Sequence, residues 1–210
     1  APQSRLQQFF GSEFFYNYRT SPVAIISSLM ILSALLIAVI GPLFTPQNPY
    51  LLSGLELADA YKPPAWIEGG DVKFLLGTDQ QGRDILSAIV YGSRVSLFIG
   101  FVGVFFAAFF GIMVGLIAGY VGGKLEAVIM RIADIQLSFP SMLIALFLMT
   151  TFGRSILNVL IALTLIGWVR YARIVRGETL TVKKKEYIEA SKVIGFSNIR
   201  ILIKQVLPNV

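Results

Sequence analysis

The 210-residue sequence predicts an all-α membrane protein that crosses the bilayer four times within this chain. Composition is the first reason: 55% of residues are hydrophobic and 14% charged, and one water-soluble core of this length cannot hide that much apolar surface. The second is that residues 20–55, 95–123, 135–153 and 155–169 contain no Asp, Glu, Lys or Arg. The third is charge asymmetry: residues 170–210 hold nine of the eighteen basic residues against three acids, whereas residues 45–94 hold four basic and six acidic. By the positive-inside rule the basic end is cytoplasmic and the acidic stretch external. Cys and His are both absent, which removes thiol nucleophiles, disulfides, imidazole bases and nearly every transition-metal site.

Residues 1–21 are expected to form a cytoplasmic N-terminal segment. The apolar run behind them is too long for a signal peptide and lacks a cleavage site, so it reads as a retained anchor. Its centre, residues 23–44, spans a ~30 Å hydrocarbon core at ~1.5 Å per residue, giving transmembrane helix one over 22–45. Residues 46–94, with Pro46, Pro49, Pro63 and Pro64, read as an ordered external loop. In it, Gly77 and Gly82 permit tight turns, and Thr78, Asp79 or Asp84 can cap a following helix. Ile85, Leu86, Ile89 and Val90 then share one face, predicting an amphipathic elbow in the outer interface.

Residues 95–210 are expected to be the core, with helices two to four and a cytoplasmic loop over 177–210. Helix two carries Gly103, Ala107, Gly111, Gly115 and Gly119 at every fourth position, one stripe of small residues that serves either helix packing or a ligand groove. Phe101, Phe105, Phe106, Phe109 and Phe110 are left for lipid or neighbouring helices. Helix three begins near Leu125, carries Glu126, Arg131 and Asp134, and is expected to kink at Pro140. Arg131 and Asp134, three residues apart, can pair, and the two serve either as a structural ion pair or as lining of a pathway. Helix four is short unless it continues through Arg170, Arg173 and Arg176, whose stems can snorkel to the headgroups. Beyond it, residues 186–194 read as a short helix, Gly195 as its left-handed stop, and Ser197 or Asn198 as the cap of another. Ile199, Leu202, Ile203 and Val206 fall at i, i+3, i+4 and i+7, predicting an apolar face opposite Arg200 and Lys204 and a stop at Pro208.

Several chemistries are excluded. Gly123-Lys124 is followed by Leu125, and Ala118 stands where a phosphate loop needs its first Gly, so this chain has no nucleotide-hydrolysing loop. It lacks HExxH and GxSxG, and no enzyme activity is expected. The formal charge of +6 flanks membrane spans, so lipid and not nucleic acid is the expected polyanion.

Three segments, PPAWIEGGDVKFLLGTDQQGRDILSAIVYGSRVSL (63–97), GLIAGYVGGKLEAVIMRIADIQLSFPSMLIAL (115–146) and EYIEASKVIGFSNIRILIKQVLPN (186–209), resemble the inner-membrane permease subunits of bacterial peptide-importing ABC transporters. The external motif Gly77, Thr78, Asp79, Gly82, Arg83, Asp84 narrows the resemblance to the peptide, nickel and opine group. The third segment resembles the EAA loop, Glu-Ala-Ala, three residues, Gly, nine residues, Ile, one residue, Leu-Pro. Glu189, Ala190, Gly195, Leu207 and Pro208 match, while Ser191 replaces the second Ala and Gln205 stands at the Ile position. The resemblance implies a type I ABC importer permease fold with six membrane helices in a complete subunit, two of them after Val210. It implies an ATPase-coupling role for Glu189, Ala190, Ser191, Gly195, Ile199, Leu202, Leu207 and Pro208. It further implies, as partners, a second and different permease, two ATPase subunits and an external substrate-binding protein, with ATP and Mg on the ATPases and no cofactor in this chain. Substrates would be di- or oligopeptides. Two other readings compete: an autonomous proton-coupled carrier using Asp134 and Arg131, and a non-transporting assembly or signalling module whose hairpin recruits a partner.

Overall fold

The computed structural model describes residues 13–51 and 55–210; the first twelve residues of the expected N-terminal segment lie outside the described residues. The chain forms two compact units, Ala1–Phe98 and Ile99–Val210. The described residues are helical throughout, apart from loops and one isolated bridge between Thr78 and Asp84.

In the first unit, α1 (Glu13–Thr20) leads into α2 (Pro22–Ile40). Ser21 starts α2 because its hydroxyl accepts from the Ala24 amide, and Pro22 at the first helical position has no amide to waste there. Tyr18 and Ser28 hydroxyls bond across the α1–α2 turn. A 3₁₀ turn, Gly41–Leu43, extends α2, so residues 22–43 form one apolar span. Gly41 lies against the start of the next helix, where a Cβ would come 2.6 Å from Val90 Cγ1.

Helix α3 runs unbroken from Ile85 to Val121. At 37 residues it is about 55 Å long, well beyond one hydrocarbon thickness. The segment expected to be an interfacial elbow feeding into helix two forms the first turns of this same helix. Nothing between Ile85 and Arg94 stops it, since that stretch has no Pro and one tolerated Gly.

In the second unit, α4 (Gly123–Ser138) and α5 (Ser141–Phe152) meet at 85°. Pro140 cannot donate to a helical ladder and forces Phe139 into extended backbone (φ −91°, ψ 134°), so the expected kink is a full break. Helix α5 alone, 12 residues or about 18 Å, is too short to cross. Helix α6 (Ile156–Val182) starts at a Ser155 cap and continues through all three arginines. Among the described residues, three helices are thus long and apolar enough to span a membrane, and four spans result if the bent α4–α5 pair counts as one.

Packing in this unit follows the small residues. Gly103, Ala107, Gly111, Gly115 and Gly119 are all buried against α6. A Cβ on Gly111 would lie 2.5 Å from the Trp168 carbonyl oxygen, one on Gly115 2.5 Å from that of Ala172, and one on Gly119 2.7 Å from Thr179 Cβ. Gly167 of α6 returns the fit, with a Cβ there 2.8 Å from Ala107. The inward face of α6, Ala162, Val169, Ala172, Val175, Thr179 and Val182, repeats at helical spacing. Phe101, Phe105, Phe106, Phe109 and Phe110 are exposed, and the last four meet one another in two stacked pairs (Phe105 with Phe109, Phe106 with Phe110) and two edge-to-face pairs (Phe105 with Phe106, Phe109 with Phe110).

Candidate functional site

The chain ends in a helical hairpin, α7 (Glu186–Val193) and α8 (Asn198–Ile201), the latter continued by a π-helical turn Leu202–Val206 and a 3₁₀ turn Leu207–Asn209. The turn between the arms is a Schellman motif. Gly195 adopts φ +91°, its amide donates to the Lys192 carbonyl at 3.0 Å, and the Phe196 amide donates to that of Ser191 at 3.1 Å. Ser197 caps α8 by accepting from the Arg200 amide. Arg200 lies over the Phe196 ring, 4.3 Å from its centroid.

One face of the hairpin is anchored. Ile188, Ile201 and Val206 are fully buried and form a cluster with Leu116 of α3 and Val175 and Val182 of α6, flanked by Phe196 and Leu202. Tyr120 Oη donates to Asn198 Oδ1 at 2.9 Å, a second tie to α3. The other face is open: Val193 is 88% exposed, Ile194 and Ile199 71% each and Ile203 55%, with Glu189 and Ala190 beside them. Of the residues singled out in sequence, Ser191 and Leu202 turn inward, Gly195 makes the turn, and Glu189, Ala190, Ile199, Leu207 and Pro208 lie at the surface. The predicted apolar face is split as a result. Ile199 and Ile203 point out, while Ile201, which the i, i+3, i+4, i+7 pattern omitted, is core. The π turn accounts for the later part of the face, because closing on the fifth residue keeps Val206 on the side of Ile201, where an α-helix would rotate it away.

Charged residues tie α4 to α6 above the hairpin. Arg176 donates through Nε to Glu126 Oε1 at 2.6 Å and again through Nη2, and Arg173 Nη2 pairs with Asp134. Lys183 Nζ donates to the Gly119 carbonyl at 2.7 Å. The Arg131–Asp134 pair does not form: Arg131 is exposed and in no ion pair among the described residues, because Arg173 on the facing helix takes Asp134. A cavity of about 320 Å³ opens here, lined by Met130, Asp134, Arg173 and Arg176. Higher on the same helix pair, Gln136 accepts from Trp168 Nε1 at 2.9 Å and donates to the Leu165 carbonyl, a polar link that residue types alone did not reveal. Among the described residues, no three carboxylates converge as metal ligands would.

In the first unit, residues 55–84 are held by the GTDQQGRD turn. Gly77 and Gly82 have φ of +77° and +73°, and a Cβ on either would strike a backbone carbonyl, that of Lys62 at 2.4 Å or of Glu56 at 2.3 Å. Buried Thr78 donates to the Asp59 carbonyl and accepts from the Lys62 amide. Asp84, fully buried, caps α3 by accepting from the amide and hydroxyl of Ser87. Asp79 accepts from the Gln81 and Arg83 amides and pairs with Arg83 Nε at 2.7 Å. Desolvation opposes its ionisation, but these donors outweigh it and hold the carboxyl below its ordinary value. Lys62 bridges Asp59 (2.8 Å) and Asp71 (3.1 Å), and those bonds, Asp59 first, raise its pKa. The Lys73 amide and Lys62 ammonium lower that of Asp71.

Residues 111–210 match the family model described as the inner membrane component of binding-protein-dependent transport systems, and residues 10–64 the N-terminal transmembrane domain of oligopeptide transport permease C. The dipeptide transport system permease of Haemophilus influenzae is 36% identical over 209 residues, 100% of this chain and 68% of the relative. The Escherichia coli K12 dipeptide permease is 40% identical over 198 residues, 94% of this chain and 65% of the relative. The oligopeptide permease of Bacillus subtilis is 35% identical over 196, 92% and 60%. The chain thus spans 60–68% of the length of these three relatives. The chain belongs to the family of binding-protein-dependent transport inner membrane components, in the group that holds the dipeptide and oligopeptide permeases.

Proposed function

We propose that this chain is part of the membrane pathway of an ATP-driven peptide importer and passes the motion of separate ATPase subunits to its spans through the hairpin Glu186–Val206. The observation that carries the reading is the division of the hairpin into an anchored and an open face. Leu116, Val175, Val182, Ile188, Ile201 and Val206 fix it to α3 and α6, while Val193, Ile194, Ile199 and Ile203 are left exposed and free to meet a partner. A push on that surface reaches α6 as a rigid displacement, because the glycine stripe leaves no slack between α3 and α6. The ion pairs carry it to α4. Asp134, Arg173 and Arg176 line the pathway in this reading, both ends of the chain face the cytoplasm, and the loop holding Asp71 faces outward to receive substrate from a binding protein. A second permease completes the enclosure.

The peptide substrate class follows the relatives' names. The autonomous carrier would use Asp134 and Arg131, but Asp134 is paired with Arg173 and Arg131 is in no ion pair among the described residues. The test is peptide uptake by vesicles containing the reconstituted complex: uptake that requires ATP, stops with vanadate and survives collapse of the proton gradient is expected. Uptake by this subunit alone, driven by the gradient, would contradict it.

A further inference from the structure

The two positions at which the hairpin departs from the EAA pattern are bonded to each other. Gln205 Nε2 donates to Ser191 Oγ at 2.8 Å. The serine gives its single proton to the Tyr187 carbonyl, also at 2.8 Å, so toward Gln205 it can only accept. That fixes the amide with its NH₂ toward α7 and leaves Gln205 Oε1 buried without a partner. The bond to Ser191 is thus the one hydrogen bond of the Gln205 side chain among the described residues. It crosses from the inward face of α7 to the π turn, between Ile188 on one arm and Val206 on the other, both fully buried.

We propose that Ser191 and Gln205 act as a single positioning pair, setting the spacing of the two hairpin arms and through it the alignment of the exposed Val193, Ile194, Ile199 and Ile203. Apolar contact alone is non-directional and permits the arms to slide, whereas a hydrogen bond between fixed atoms selects one register. The two residues are then one compensated change, and the pair is asymmetric. Removing the serine hydroxyl leaves the half-buried Gln205 amide with no partner at either end. Removing the glutamine leaves the serine still bonded to Tyr187.

The inference rests on the docking role proposed above, and the experiment separates the two. Ser191→Ala, Gln205→Ile and the double variant are prepared in the full complex in lipid nanodiscs, with Glu189→Lys as a docking control. Hydrogen exchange is followed over residues 186–209, and bound ATPase is quantified. Ser191→Ala is expected to speed exchange about tenfold, the cost of stranding a buried polar group. Gln205→Ile and the double variant should both stay within about threefold of the parent, a rescue that independent sites do not give. Bound ATPase should fall in Ser191→Ala and return in the double variant. A double variant exchanging as fast as Ser191→Ala overturns the pair. Rescue of exchange with ATPase unchanged, while Glu189→Lys releases it, also overturns the positioning role and leaves docking intact. ATPase retained in all variants, Glu189→Lys included, defeats the docking reading and the inference with it.

Discussion

A single methyl group is too large for the centre of the α3–α6 contact. At Gly111 and Gly115 the added Cβ would lie 2.5 Å from a backbone carbonyl oxygen, which cannot rotate away as a side chain would. Gly111→Ala and Gly115→Ala are each expected to cost about 1–3 kcal/mol by overpacking, read as a lower thermal midpoint and less folded protein in detergent. Gly100→Ala, with nothing within 4 Å, should leave that midpoint unchanged or raise it. The stripe was legible in sequence because its spacing is a local property of one helix. Its partner was not, and neither were the ion pairs: Glu126 and Asp134 find Arg176 and Arg173, fifty and thirty-nine residues away, across a helix contact that no local rule specifies. The external turn makes a pH prediction. The folded carboxyls of Asp79 and Asp71 sit below the ordinary value of about 3.9, so their stabilisation is present above that value and is lost as pH falls through the folded pKa. The folded ammonium of Lys62 sits above about 10.4, so its share is present below that value and is lost as pH rises through the folded pKa. Fluorescence of Trp66 in this loop, measured with Trp168 replaced by Phe, should be flat between about pH 5 and 9 and change only outside it. A transition near neutrality would show that other groups hold the turn.

At the scale of elements, length and charge located the spans, and the breaks between them came from single residues. Pro140 announces an interruption, but its 85° angle depends on what packs on either side. The start of α3 was not marked in sequence, since a change from amphipathic to wholly apolar character is not a change of backbone, and the helix runs through it. The hairpin was readable as helix, Gly turn, helix because Gly195 and Ser197 are the residues such a turn needs. Which face it buries was not, because Ile199 and Ile201 are alike in type and only packing against α3 and α6 decides between them, and because no residue type marks the π turn that places Val206. Gly195 allows a clean test of the turn. Nothing lies within 4 Å of a Cβ there, so bulk is no obstacle and only the φ of +91° matters. Gly195→Asn, which tolerates positive φ, should keep most ATPase binding, while Gly195→Val should lose it, at a backbone cost of about 1–2 kcal/mol or more. Equal behaviour of the two in a pull-down would show that the left-handed turn is not what sets the docking face.

For the whole molecule, basic residues gathered beyond residue 170 predict that the hairpin is cytoplasmic and the GTDQQGRD loop external. The chain has no cysteine, so single cysteines at Asp71 and Lys184 can be probed in sealed cells with a membrane-impermeant thiol reagent. Position 71 should label and position 184 should not, and the reverse would invert the topology. The central claim is that the open face of the hairpin receives the ATPase and that α3 and α6 carry its motion. Its most direct measurement is substrate-stimulated ATP hydrolysis by the complete transporter in vesicles, with the parent, Glu189→Lys and Lys184→Gln compared at equal amounts of inserted subunit. Glu189→Lys is expected to abolish stimulation and release the ATPase, while Lys184→Gln retains both. Full stimulation and full retention in Glu189→Lys would contradict it.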